Sequence, residues 1–163
     1  MLNKMILKNS ERLGQLLKEK NLLLSIAESC TGGGLGYAIT ATPGSSRWFD
    51  QGFITYSNNS KETRLGVSSE ILKKYGAVSL NTAKAMADGA LNMSTADLAL
   101  SITGIAGPSG GSSQKPVGTV CFAIAQKGAK TKATQRQFQG SREEIRQSAI
   151  LFCLEWVMAE GFI

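Results

Sequence analysis

Histidine is missing from all 163 residues, and its absence removes the usual acid–base machinery of a near-neutral active site. No Ser-His-Asp triad, Cys-His dyad, HExxH zinc site or histidine-ligated zinc deaminase centre can be assembled from this chain. Proton transfer near pH 7 falls instead to a retuned Lys, Glu, Asp, Tyr or Cys. Cysteine is scarce too. Cys30, Cys121 and Cys153 are odd in number, far apart and form no CxxC pair, so neither a disulfide framework nor a zinc ribbon is indicated. A reducing compartment suits them. No run approaches the ~18 apolar residues of a membrane span. Charges interrupt the amino-terminal MLNKMILKNSER, and no small-residue cleavage site follows it, so a cytoplasmic location is expected. Aromatic residues make up only 7 % and the basic residues are scattered, so a nucleic-acid surface is not expected.

What is present is ordinary in bulk: 42 % apolar and 18 % charged residues, in a length that one domain spanning 1–163 can use to bury a core. The formal charge of +6 serves solubility or an anionic partner; composition alone does not choose between them.

Along the chain, Leu13, Leu16 and Leu17 form a stripe on a helix expected over Ser10 to Lys20, with Ser10 able to cap it. A buried strand is expected over Leu22 to Ala27, then a small-residue helix over Leu35 to Ala41 that Pro43-Gly44 breaks. Phe49 to Tyr56 has strand character. Short helices follow over Asn59 to Leu65 and Ser68 to Tyr75, and a longer one over Asn81 to Met93. Asp97 to Thr103 reads as a strand running into a glycine-rich loop, Gly104 to Pro116. Val117 to Gln126 and Lys130 to Phe138 read as a hairpin turning at Lys127-Gly128. The last helix, Ser141 to Met158, opens with Ser141 and Glu144 at capping-box spacing. Helices alternating with strands and a closing hairpin imply a layered α/β/α fold with a mixed, mostly parallel sheet.

Three segments carry chemistry, two of them just after a strand, where open α/β sheets bind ligands. In Ala27-Glu28-Ser29-Cys30-Thr31-Gly32-Gly33-Gly34, a buried strand delivers Ser29 to its end. If the next helix begins there, its free N–H groups can receive an oxyanion. Alanine and threonine replace the glycines of a GxSxG elbow, and taken alone the segment reads as a glycine-rich turn with a capping hydroxyl. Cys30 is a rival nucleophile. In Tyr56-Ser57-Asn58-Asn59-Ser60-Lys61-Glu62, Asn59 and Glu62 have cap spacing, which places Lys61 in a first helical turn. There the dipole disfavours an ammonium. Lys61 is either solvated or, in a pocket, a base with its pKa drawn toward ~7–8. Tyr56 could orient a proton between hydroxyl and amine. In Thr103-Gly104-Ile105-Ala106-Gly107-Pro108-Ser109-Gly110-Gly111-Ser112, glycines suit an anion without matching a Walker or GxGxxG pattern. A mobile surface loop is the other reading. Arg142 and Arg146 can join this loop as phosphate clamps, or can simply be exposed arginines.

As a set, AESCTGG (27–33), GFITYSNNSK (52–61), GAVS (76–79), SITGIAGPSGGSSQKPVGTV (101–120) and the GSR start of the last helix resemble the CinA carboxy-terminal domain family. The resemblance spans nearly the whole chain. It implies a serine amidohydrolase, without metal or cofactor, that deamidates nicotinamide mononucleotide. Ser29 would be nucleophile, Lys61 base and Tyr56 the assisting tyrosine. Cys30, Thr31, Gly32, Thr103, Gly104, Gly107, Gly110, Gly111 and Arg142 would hold the substrate. A homodimer or larger assembly is expected. Many relatives carry a larger amino-terminal domain resembling molybdopterin-binding proteins, which is not expected here. The competing readings are an idle nucleotide-binding or regulatory module and a DNA-associated competence protein, whose binding would weaken steeply with salt.

Overall fold

The structure, a computed structural model, describes residues 2–161; Met1, Phe162 and Ile163 of the expected 1–163 domain lie outside the described residues. Five strands form one sheet in the order β2-β1-β3-β4-β5: β1 (Leu24–Glu28), β2 (Phe49–Ile54), β3 (Leu98–Gly104), β4 (Thr119–Gln126) and β5 (Lys132–Gln137). β1 pairs in parallel with β2 and β3, while β4 runs antiparallel to both β3 and β5. Four strands therefore point one way and only β4 is reversed, which is the mixed, mostly parallel sheet expected.

Side chains alternate across a strand, and here the alternation separates large from small. Leu98, Leu100 and Ile102 of β3, with Leu24, Ile26, Val120, Phe122 and Ile124, face α1 (Lys4–Glu19), α2 (Gly34–Thr40) and α6 (Arg142–Ala159). The opposite face carries Ala27, Ala99, Cys121, Ala123 and Ala125 against α3 (Asn58–Leu65), α4 (Ser69–Tyr75) and α5 (Leu80–Asn92). Small residues on both sides of that contact, including Ala83, Ala87 and Ala90, let α5 lie close to the sheet. Hydroxyls also fit there: Ser101 Oγ donates to Ala83 O at 2.6 Å and Ser25 Oγ to Ala90 O at 3.2 Å.

The first helix begins six residues earlier than its leucine stripe suggested. Its cap is Asn3, whose Oδ1 accepts from Met5 N at 2.8 Å. Ser10 is not a cap. It lies on the buried stripe of Ile6, Leu13 and Leu17 and donates to Ala38 O at 2.9 Å, tying α1 to α2. Gly14 completes this face, because a Cβ there would meet the buried Trp48 ring at 2.6 Å. Residues 22 and 23, expected in the first strand, precede β1, which instead extends to Glu28; residues 117 and 118 likewise precede β4.

The connection β1–α2–β2 lies on one face of the sheet, whereas β2–α3–α4–α5–β3 lies on the other. The chain thus switches faces between β1 and β3, leaving a crevice outside their carboxyl ends. Ser29 and Gly104 stand at that crevice.

Candidate active site

Ser29 N donates to Ile102 O at 2.9 Å, extending the β1–β3 ladder one step beyond the strand. This fixes the Ser29 backbone at the crevice with 8 % of the residue exposed. Lys61 approaches from α3. The helix is capped by Ser57 and Ser60 in a reciprocal box, rather than by Asn59 and Glu62 as the spacing suggested. Starting the helix at Asn58 puts Lys61 on the same buried side as Leu65, with 1 % exposure. Its Nζ lies 3.0 Å from Ser29 Oγ and 2.7 Å from Thr55 O, donating to both as an ammonium.

Burial lowers the Lys61 pKa from its ordinary 10.5, because taking the charge out of water favours the neutral amine. Among the described residues no carboxylate forms an ion pair with it to restore the charge. A thiolate at Cys30 would oppose the shift, but Cys30 is itself pushed up to about 12, first by burial and then by Glu28. It therefore stays a thiol near neutrality, and the opposition disappears. When Lys61 is neutral its lone pair can face Ser29, so the 3.0 Å contact reverses and the hydroxyl donates to the amine. The same thiol state weakens Cys30 as a nucleophile, since the thiolate is the reactive form.

The N–H groups after Ser29 are largely spoken for. Gly32 N donates to Ser29 O and Gly34 N to Thr31 O, each at 3.0 Å. The start of α2, whose cap Gly33 offers no side chain, is satisfied by Glu28: Leu35 N and Gly36 N donate to its carboxylate at 3.0 and 2.8 Å. An oxyanion at the helix start, as the sequence reading anticipated, would have to displace a buried carboxylate. Among the described residues, the N–H groups of Cys30, Thr31, Ala106 and Gly107 donate to no backbone carbonyl.

A cavity of about 250 Å3 opens above the pair. Of the residues expected at the site, Ser29, Cys30, Tyr56, Lys61, Thr103, Gly104, Gly107, Gly110 and Arg142 line it. Thr31, Gly32 and Gly111 do not. Thr31 is fully buried, and its carbonyl accepts from Arg146 Nη2 at 2.8 Å. A Cβ at Gly32 would meet Arg146 Nη2 at 3.3 Å, and one at Gly111 would meet Val117 N at 2.7 Å. These three shape the turns behind the wall. Arg146 belongs to them, and of the two arginines Arg142 is the one that lines the cavity.

Among the described residues Tyr56 makes no hydrogen bond to the Ser29 hydroxyl or the Lys61 amine. Its hydroxyl accepts from Arg142 Nη2 at 2.8 Å, while Arg142 Nη1 donates to Gly107 O at 2.7 Å. Ile105, Ala106 and Ser109 of the glycine-rich segment also line the cavity, whereas the sequence reading missed the walls made by Ala77 and Val78 and the Thr55 carbonyl that holds Lys61. For Ala77 and Val78, only the agreement of GAVS in the family resemblance gave a signal. A larger cavity of about 430 Å3 lies on the other side of Arg142, lined by Tyr37, Arg146 and Ile150 among others; it contains neither Ser29 nor Lys61. Among the described residues no group of three or more Cys, Asp or Glu side chains is arranged to hold a metal ion. No helix among them is long and apolar enough to cross a membrane.

Fold and site define a three-layer α/β domain that sets a buried serine–lysine pair beneath a glycine-lined cavity at the switch point of its sheet. The model of the CinA C-terminal domain matches residues 7–160. The chain belongs to that family. It is 48 % identical to the nicotinamide-nucleotide amidohydrolase PncC of Enterobacter agglomerans over 151 residues, 93 % of this chain and 92 % of that protein. The protein of that name from Escherichia coli K12 is 47 % identical over 146 residues, covering 90 % and 88 %. A CinA-like protein of Syntrophobacter fumaroxidans is 51 % identical over 137 residues, which make up 84 % of this chain but 32 % of that protein. The crystal structure of competence/damage inducible protein CihA from Agrobacterium tumefaciens has a TM-score of 0.94 at 41 % identity, covering 98 % and 97 % of the two chains.

Proposed function

We propose that this protein hydrolyses the carboxamide of nicotinamide mononucleotide, giving nicotinic acid mononucleotide and ammonia. The observation that carries the reading is the buried Lys61 amine 3.0 Å from Ser29 Oγ, with no carboxylate paired to it among the described residues. Relatives similar over nearly their whole length and named nicotinamide-nucleotide amidohydrolase support the choice of substrate.

Neutral Lys61 takes the Ser29 hydroxyl proton as Oγ attacks the carboxamide carbon. The N–H groups of Cys30 and Ala106, which donate to no backbone carbonyl among the described residues and belong to residues lining the cavity, receive the oxyanion. As the C–N bond breaks, the ammonium form of Lys61 returns its proton to the departing nitrogen, and ammonia leaves an acyl-Ser29 ester. Water then attacks that ester, Lys61 takes the water's proton, and collapse releases the carboxylate while Ser29 recovers its hydrogen. The chemistry is closed with these two side chains. Arg142, which lines the same cavity, holds the phosphate, which gives part of the net positive charge a specific use.

An idle binding module has no use for an amine buried at a cost and aimed at a hydroxyl. The test is conversion of nicotinamide mononucleotide by the purified protein, followed by chromatography of the pyridine products and by ammonia release. Stoichiometric nicotinic acid mononucleotide and ammonia are expected. Binding of the nucleotide without conversion would replace the amidohydrolase with the module.

A further inference from the structure

We infer that Tyr56 is a positioning residue that acts through Arg142, setting the guanidinium for the substrate's phosphate, rather than a member of the proton relay at Ser29. The inference rests on the amidohydrolase reading for the identity of the substrate.

Residues 55 and 56 divide between the two ends of the cavity. Thr55 is buried and its carbonyl anchors Lys61 at 2.7 Å. The next residue points the other way, as alternation along an extended chain requires, and Tyr56 is 59 % exposed at the rim. Its hydroxyl accepts from Arg142 Nη2 at 2.8 Å, and the opposite nitrogen of the same fork donates to Gly107 O at 2.7 Å. The planar guanidinium is thereby pinned by β2's exit on one side and by the glycine loop on the other. Among the described residues, the Tyr56 hydroxyl makes no hydrogen bond to Ser29 or Lys61, whose own contacts are met by each other and by Thr55. A guanidinium presents five donors in a fork, so two can hold its plane while the rest face an incoming anion. Without the hydroxyl, Arg142 keeps, among the described residues, the Gly107 carbonyl alone and gains rotamer freedom that phosphate binding must then remove.

The experiment compares wild type, Tyr56→Phe, Arg142→Ala and the double variant on nicotinamide mononucleotide and on the riboside lacking the phosphate. Tyr56→Phe should raise KM for the nucleotide about five- to tenfold with kcat held within about twofold, because the lost hydrogen bond involves a charged donor. Its effect on kcat/KM for the riboside should stay under about twofold. Added to Arg142→Ala, Tyr56→Phe should cost almost nothing more, the non-additivity of two residues acting as one. A tenfold or greater fall in kcat on both substrates, or a displaced pH–rate limb, would return Tyr56 to the Ser29–Lys61 relay and overturn the inference. If wild type converts neither compound, the amidohydrolase reading fails by itself. Equilibrium affinities for the same two compounds then decide the inference: Tyr56→Phe must weaken the nucleotide and spare the riboside, and equal affinities would end it.

Discussion

The floor and the mouth of one cavity are built on opposite principles. At the floor, Ser29 and Lys61 are buried, fixed by the β1–β3 ladder, by a helix cap and by the Thr55 carbonyl. At the mouth, Tyr56 and Arg142 are exposed and are held to each other and to one loop carbonyl. Chemistry with an amine base needs a desolvated environment to keep that amine neutral, and this is available only in the interior. Recognition of a strongly hydrated phosphate needs a charged fork that never loses its proton, which arginine supplies even in water. The difference teaches that kcat should be controlled from the floor and KM from the mouth.

The strongest way to break that division is at the floor. Ser29→Ala should lower kcat by about three orders of magnitude or more while leaving nucleotide affinity near that of wild type, measured by turnover and by calorimetric titration. Lys61→Met should cost about 10²–10⁴ in kcat. Lys61→Arg should not rescue it, because arginine stays protonated at any working pH. In wild type, kcat/KM should rise with pH as Lys61 loses its proton at a pKa below 10.5, and this limb should vanish in Lys61→Met. A mouth substitution that abolished the limb would contradict the division.

Gly107→Ala sharpens it from the other side. Gly107 has φ +76°, and a Cβ there would run into the Val117 side chain. The loop carbonyl that holds Arg142 must move, so KM should rise roughly tenfold while kcat changes less, since the strain lies at a left-handed backbone position. A kcat effect larger than the KM effect would show the loop to be part of the floor.

These contrasts were unequally legible in the sequence. The α6 cap could be read because Ser141 and Glu144 are local and their box forms as expected. The α3 cap was misread because two overlapping pairs satisfy the same spacing, and only packing of Lys61 and Leu65 selects Ser57 with Ser60. Ser10 looked like a cap because polar residues usually avoid a buried stripe; its hydroxyl is tolerated because Ala38 O lies within reach. Glu28 gave no local sign of capping α2, since its carboxylate meets Leu35 and Gly36 only after the chain has turned. Ser29 and Lys61 are 32 positions apart, and no periodicity joins them; the pairing was anticipated from the family resemblance and from the lack of histidine. The hydrogen bond between Tyr56 and Arg142 could not be read at all, because 86 positions separate the two and only the folded chain brings β2's exit to the start of α6.

The smallest expected effect concerns stability, and it ties the floor to folding. Folded Lys61 holds its proton less tightly than the unfolded chain, so between its lowered pKa and 10.5 the unfolded state binds more protons. Stability contributed at this residue therefore rises with pH across that window, and below it the cost of burying the charge is present in full. Lys61→Met should be more stable than wild type near pH 7 by about 1 kcal/mol, with the gap closing as pH approaches 10.5 in denaturant titrations. A gap independent of pH would mean that the amine is not strained by burial.

The most direct test of the central claim is ammonia release from nicotinamide mononucleotide by wild type, Ser29→Ala and Cys30→Ala side by side, with chelator present throughout. The account predicts release by wild type and by Cys30→Ala, and none above background by Ser29→Ala. Release by Ser29→Ala together with loss in Cys30→Ala would move the nucleophile one residue along and contradict the pairing of Ser29 with Lys61.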